Sequence, residues 1–445
     1  MEVNPFPLSS DCSAVFDIIW LATVCGYILP AVMKNLFSAE FFSQNRAALR
    51  SKLPENAVLV LTAHGLLQRS ADTTIPFSQD KNFWYATGLA DPDLVLVMTP
   101  SKSYIILPEI SAVRALFDGA VDATAAQKRS GVDDVLPAKE GWNQLQSDVH
   151  KNTPLVTCLP ASNYDQEFGY YRNPARRRLA TRLRRMFPGM PLGDAREAFA
   201  RLRAVKQPAE VAALEQAVRI TTSTLDHVRR QSVMAQFAYE YELEAAITHG
   251  FRRQGARGHA YDPIVAGGKN AATIHYTANE APLHNGDLLV VDVGAEFEQY
   301  AADITRVIAV GKPSQRQLDV LAAVRDVQQL ALSLLRPGIF LRDYEREVAL
   351  AMGKALQDLK LTSNPSDMAV IRRYYPYATS HFLGLDAHDT GFYNEPLAEN
   401  MVVTCEPGIH IPEENIGVRL EDDILITKNG VRNLSEHCSY DAYVL

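Results

Sequence analysis

Cysteine is scarce in this chain and never occurs as a C-x-x-C pair: Cys12, Cys25, Cys158, Cys405 and Cys438 are five in all, an odd number. That excludes a zinc ribbon and gives no basis for a disulfide framework, so a reducing compartment, the cytoplasm, suits the protein. Excess positive charge is lacking too, and a formal net charge of −8 speaks against general affinity for nucleic acid. Neither a Gly-rich fingerprint that would cradle phosphate nor a sustained heptad occurs; Gly267-Gly268 has the wrong spacing and reads as a turn. What is present is 47% apolar and 22% charged, the composition of a soluble globular protein, and 445 residues exceed one ordinary core. Two domains are expected.

One apolar run, VFDIIWLATVCGYILPAVM (15–33), is about long enough to cross a bilayer, but Asp17, Gly26 and Pro30 interrupt it. A secretory signal opens on a basic region, whereas every charge before Lys34 is negative: Glu2, Asp11 and Asp17. A membrane anchor and an atypical signal remain alternatives. The favoured expectation is an extension, residues 1–33, outside the fold, with the natural start at Met33 and an amphipathic helix within 33–53.

From about 57 to 108, apolar runs such as AVLVLTA and LVLVMT alternate with turn signals, and helical stretches follow to about 195. This predicts a mixed α/β domain over 34–200. The Arg-rich stretch from Arg172 to Arg185 has Leu179, Leu183 and Met186 at helical spacing, which makes it a solvated helix face. Pro208 suits a first helical turn before the stripe Val211, Leu214, Val218 and Leu225, so a second domain spans 201–445. Within it, Ser314 and Gln317 form a capping-box pattern for a helix carrying Leu318, Leu321, Val324 and Leu334, stopped at Arg336-Pro337-Gly338. Helices alternating with antiparallel strand pairs make this domain α+β.

Asp292, Asp303, His381, Glu406 and Glu421 form an ordered series of four carboxylates and one imidazole. Carboxylates set in LLVVDVG (288–294) and LEDDILI (420–426) are costly to bury unless a cation holds them. Two divalent metals roughly 3.5–4 Å apart use this ligand set. Asp292 and Asp303 flank EFEQY on two adjacent antiparallel strands; alone they would read as surface aspartates of a hairpin. Glu406 precedes Pro407-Gly408, a sharp turn that projects its carboxylate. Arg419, two residues from Glu421, is expected on the same strand face, Asp422 on the opposite face and Asp423 one repeat further on. Oxygen-rich sites with one imidazole suit hard or borderline metals.

The segments SHFLGLDAHDTG (380–391), CEPGIHI (405–411), GVRLEDDILIT (417–427), VDVGAEFEQYAADITR (291–306), IHYTANE (274–280) and RSADTTIPFSQDKNFWYATGL (69–89) together resemble the pita-bread metallopeptidases, specifically aminopeptidase P, from about residue 34 to 436. The resemblance implies a pita-bread catalytic domain behind a smaller α/β domain, and two divalent ions, manganese before zinc or cobalt. It makes His381 a ligand, Glu406 both ligand and general base, Glu421 a bridge, and His275 and His388 a lining for the substrate cleft; the fixed positive charge of Arg419 beside them is expected to orient an acidic ligand. His64, His150, His227, His249, His259, His284 and His437 keep structural readings. The implied substrates are peptides with proline at the second position, cleaved before that proline by a metal-bridging hydroxide, and the implied assembly is a homo-oligomer, dimer or tetramer. No membrane or nucleic-acid partner is expected. A prolidase acting on dipeptides shares the ligand set, and a non-catalytic pita-bread binding protein is a further alternative. Two positions depart from the family pattern: Tyr377 stands where a histidine is usual, four residues before His381, and His410 stands where tyrosine commonly follows EPG-x.

Overall fold

A computed structural model of the protein describes residues 36–160 and 169–442, so the apolar run 15–33 and the expected start at Met33 lie outside the described residues. Among the described residues, no helix is long and apolar enough to cross a membrane.

The helix Ala39–Arg50 begins where the Ser38 hydroxyl accepts from the Phe41 N–H, and it buries Phe41, Phe42 and Leu49. These side chains pack over a six-stranded mixed sheet, whose order is Asp134–Leu136, Ser103–Ile106, Val95–Met98, Val58–Thr62, Leu155–Thr157, Leu192–Asp194. Its central pair, Val58–Thr62 and Val95–Met98, is antiparallel, while Leu155–Thr157 and Leu192–Asp194 add in parallel. The Arg-rich segment is the helix Ala175–Met186, buried through Leu179, Ala180 and Leu183 as its spacing predicts; most of its other face is solvated, but Arg176 pairs with the buried Asp80 at 2.6 Å and Arg182 lies over the Trp142 ring.

The helix Pro208–Val228 has Pro208 in its first turn and buries Leu214, Val218 and Leu225, while Val211 is half-buried. Ser314 and Gln317 form the expected capping box at the start of Gln315–Leu334. Gly268, with φ +51°, opens the short 3-10 turn Gly268–Ala272, which fits the reading of Gly267-Gly268 as a turn.

Two long hairpins then build the centre. In the first, Leu288–Val293 pairs antiparallel with Ile304–Ala309, setting Asp292 opposite Thr305; beyond Gly294 the chain enters a separate small sheet of Ala295–Phe297, Tyr300–Ala301 and Gly258–His259. In the second, Val402–Cys405 pairs with Asp422–Thr427, and the chain passes into a different pair, Gly408–Ile411 with Ile416–Arg419. Each hairpin therefore changes sheet twice, once outward and once on return. Asp292, Asp303, Glu406 and Glu421 sit at or beside these four crossings, where the backbone leaves the regular ladder and side chains from two sheets can converge.

This corrects one expectation. Arg419 and Glu421 do not share a strand face, because one strand ends at Arg419 and the next starts at Asp422 in another sheet. The crossing also explains Gly294: a Cβ there would lie 1.7 Å from the Ala302 carbonyl oxygen. Since that neighbour is backbone, Gly294→Ala is expected to destabilise the protein by about 2–3 kcal/mol, measured from the denaturant midpoint.

Candidate metal centre

The crossings bring the five residues of the sequence series together. Ligating atoms of Asp292, Asp303 and Glu421 lie within 4.8 Å of one another, as do those of His381, Glu406 and Glu421, and those of Asp303, His381 and His388. His381 reaches the cluster because the irregular segment that carries it lies along Val402–Cys405: the Thr404 N–H donates to the His381 carbonyl at 2.9 Å, and Phe382 bridges to Val403.

The tautomer of His381 is set by its neighbour. Nδ1 lies 3.1 Å from the Phe382 carbonyl oxygen, which can only accept, so Nδ1 carries the proton. Nε2 then turns a lone pair toward Glu406 Oε1 at 3.3 Å and Asp303 Oδ2 at 3.6 Å. Burial, with His388 adding to it, pushes the imidazole down to about 3, so it does not supply the positive charge itself. Lone pairs aimed at one another in a buried space repel unless a cation lies between them. The donor set, four carboxylates and one neutral imidazole, fits divalent metal.

The carboxylates carry the same signature. Burial first, then the charge of Asp292, pushes Asp303 up to about 8. Glu406 and Glu421 are raised well above the usual carboxylate range by burial, with Asp303 and Asp292 adding to it against the opposing charge of Arg419.

Neighbouring side chains fix these groups in place. Arg419 pairs with Asp292 and donates from Nε to Thr305 Oγ1 at 3.1 Å. The Thr305 hydroxyl donates to Glu421 Oε2 at 2.6 Å, the Tyr261 phenol to Asp292 Oδ1 at 2.6 Å, and the Thr404 hydroxyl to Glu406 Oε1 at 3.2 Å. Arg419 thus pairs with Asp292 directly, and its hydrogen bonds reach Glu421 through Thr305. Asp422 turns away to a buried pair with Arg306 at 2.7 Å, whereas Asp423 Oδ2 accepts the Asp303 N–H at 3.1 Å.

Sequence reasoning missed Tyr261, Thr305 and the contact of Asp423. Thr305 had one usable signal, its place opposite Asp292 in the hairpin; for Tyr261 there was none. The stacked rings of His381 and His388, centroids 4.1 Å apart, put His388 at the edge of the centre, and the charge of His275 acts on it in turn. His275 sits on an exposed loop anchored by Glu240. That buried carboxylate accepts from the Gly267 and Ala281 N–H groups, Asn270 Nδ2 and the Tyr276 phenol, at 2.8 to 3.1 Å.

Residues 212–428 match the model of metallopeptidase family M24, and residues 42–156 match that of the aminopeptidase P N-terminal domain. The chain is similar to the Xaa-Pro aminopeptidases of Haemophilus influenzae (32% identical, covering 89% of this chain and 94% of that one) and Escherichia coli (33%, covering 91% and 96%). Its fold is similar to the structure of E. coli aminopeptidase P with the inhibitor Pro-Leu, with a TM-score of 0.79 at 29% identity over 91% of this chain and 97% of that one. With 33% identity over nearly the whole of such a relative, and with the buried carboxylate–imidazole centre in place, the chain belongs to the aminopeptidase P members of metallopeptidase family M24.

Proposed function

We propose that this protein is a dinuclear metal aminopeptidase, which releases the first residue of a peptide whose second residue is proline. The observation that carries the reading is His381 Nε2, held unprotonated against Glu406 and Asp303 in a chain similar to Xaa-Pro aminopeptidases along nearly their full length. Asp292, Asp303, His381, Glu406 and Glu421 would hold two divalent ions, manganese before zinc or cobalt, which polarise the scissile carbonyl and activate water.

The protein's own groups do the rest. Glu406 is the general base: its carboxylate accepts the water proton and passes it to the proline nitrogen, which has no N–H and needs a proton to leave. The Thr404 hydroxyl keeps that carboxylate aimed. His275 and His388 line the cleft and hydrogen-bond the peptide, while Arg419 holds Asp292 in its ligating orientation. The same reading includes a homo-oligomer, dimer or tetramer, supported by the exposed apolar Val113, Leu116 and Phe117 on the helix Ala112–Asp118. It also includes a cytoplasmic location, which suits the free, buried Cys158, Cys405 and Cys438.

Hydrolysis of Ala-Pro-Ala is expected to stop on chelation and to return with added Mn²⁺. The tripeptide should be cleaved with a higher kcat/KM than Ala-Pro, and Ala-Ala-Ala much more slowly. Preference for the dipeptide would make the protein a prolidase. Equal cleavage of Ala-Ala-Ala would remove the proline assignment, and no cleavage by metal-loaded protein would leave a binding protein.

A further inference from the structure

The two departures from the family pattern meet in space. The Tyr377 phenol lies 3.1 Å from His410 Nε2, with the ring centroids 5.6 Å apart. Tyr377 and His410 are thus joined by a hydrogen bond.

The direction of that bond follows from its far end. His410 Nδ1 is 2.9 Å from the Ala271 carbonyl oxygen, which only accepts, so Nδ1 bears the proton. Burial, reinforced by Arg419, pushes the imidazole down to about 4, which keeps it neutral at working pH. Nε2 is then an acceptor, and the phenol must donate to it. The phenolic oxygen consequently turns its lone pairs away from His410; the Arg419 guanidinium carbon lies 5.9 Å from the centroid of the phenol ring, and the charges of Arg419, Glu406 and Glu421 act on the hydroxyl. The phenolic oxygen packs against Gly408, where a Cβ would lie 2.1 Å from it.

Both sides of this pair adjoin the working site. On one side, Arg419 pairs with Asp292. On the other, Ala271 closes the turn Gly268–Ala272 that leads into His275.

We propose that Tyr377 and His410 are a coupled positioning pair, in which the phenol donates to the imidazole and presents its ring to the Arg419 guanidinium, so that together they set Arg419 against Asp292 and fix the approach to the His275 loop. The proposal deepens the peptidase reading and rests on it. Neither residue need touch the substrate. The double exchange keeps one phenol and one imidazole in the pair, whereas each single change leaves two rings of one kind.

Four proteins test this: the wild type, Tyr377→His, His410→Tyr and the double exchange. With Ala-Pro-Ala, each single change is expected to lower kcat by about 10- to 100-fold with KM within about 3-fold, and the double exchange to return kcat to within about 5-fold of wild type. A double variant no better than the product of the two single losses overturns the pair. Tyr377→Phe, which keeps the ring and removes only the hydroxyl, guards against single variants that fail to fold. In metal-free protein carrying ¹⁵N-histidine, His410 is expected in the Nδ1–H form, and its Nε2 resonance should shift in Tyr377→Phe. An unshifted resonance, or the other tautomer, also overturns the proposal. Because that spectrum needs no catalysis, a wild type inactive on every peptide would sink the peptidase reading while leaving the hydrogen-bonded pair itself still tested.

Discussion

Stripped of metal, the protein is expected to lose thermal stability as the pH is raised from about 4 to 8, and Asp303→Asn is expected to flatten that loss while abolishing activity. Asp303 in the folded chain takes up its proton near pH 8, against an ordinary value of 3.8. Between those two values the folded state binds more protons than the unfolded one, so stability falls with rising pH throughout the window, by up to about 1.4 kcal/mol per unit for each proton involved. Glu406 and Glu421, also raised, act in the same direction. Divalent metal removes the penalty by taking the place of the protons, so the gap between the melting temperatures of loaded and metal-free protein should widen from pH 5 to pH 8.

Asparagine at 303 cannot ionise, so the metal-free variant should melt at or above the wild-type temperature at pH 8. It should bind less metal and lose on the order of 10³-fold in kcat, as one ligand charge is gone. A metal-free melting temperature that does not change with pH would contradict the picture of mutually crowded carboxylates, and full metal content in the variant would remove Asp303 from the ligand set.

The sequence carried the site further than it carried the fold around it. Asp292 and Glu421 stood out because carboxylates in runs such as LLVVDVG need a reason to be buried, and that conflict is visible without coordinates. The Pro208 helix start and the Ser314–Gln317 capping box were legible because each depends on residues within one turn. What could not be read was the change of sheet at each crossing. Strand periodicity assumes one continuous ladder, and it therefore placed Arg419 and Glu421 on a common face when a break separates them. Tyr261 was missed for a related reason: its bond to Asp292 spans 31 residues and two elements, with no local pattern to announce it. Tyr377 and His410 were visible as two separate oddities, but only their contact makes them one.

The second large effect is expected away from the metal, at Arg203. Its guanidinium donates to Asn82 Oδ1 at 2.7 Å and to Asp386 Oδ2 at 2.8 Å, and it pairs with Asp389, which Lys206 also approaches at 3.4 Å. Arg203, Lys206 and Asp389 are all buried. The node ties the helix Lys81–Thr87, which carries Asn82, to the irregular segment that presents His388, and the Asp389 N–H donates back to the Phe382 carbonyl at 2.8 Å. Arg203→Leu would leave Asp389 with only the Lys206 ammonium at 3.4 Å and the Thr390 N–H at 2.8 Å, an incompletely paired buried charge whose cost is about 3–5 kcal/mol. Arg203→Leu with Asp389→Leu should cost less than the sum of the two single changes, since removing both partners leaves fewer charges stranded. The pH dependence is opposite to that of Asp303, Glu406 and Glu421. The charge of Arg203 lowers the pKa of Asp389, so its contribution is present at neutral pH and is lost as the pH falls below the ordinary carboxylate range. Because Asp389 adjoins His388, the Arg203→Leu protein that remains folded should also show a raised KM for Ala-Pro-Ala. A denaturant midpoint within about 1 kcal/mol of wild type would show that Asn82, Asp386 and Lys206 hold the node without the guanidinium.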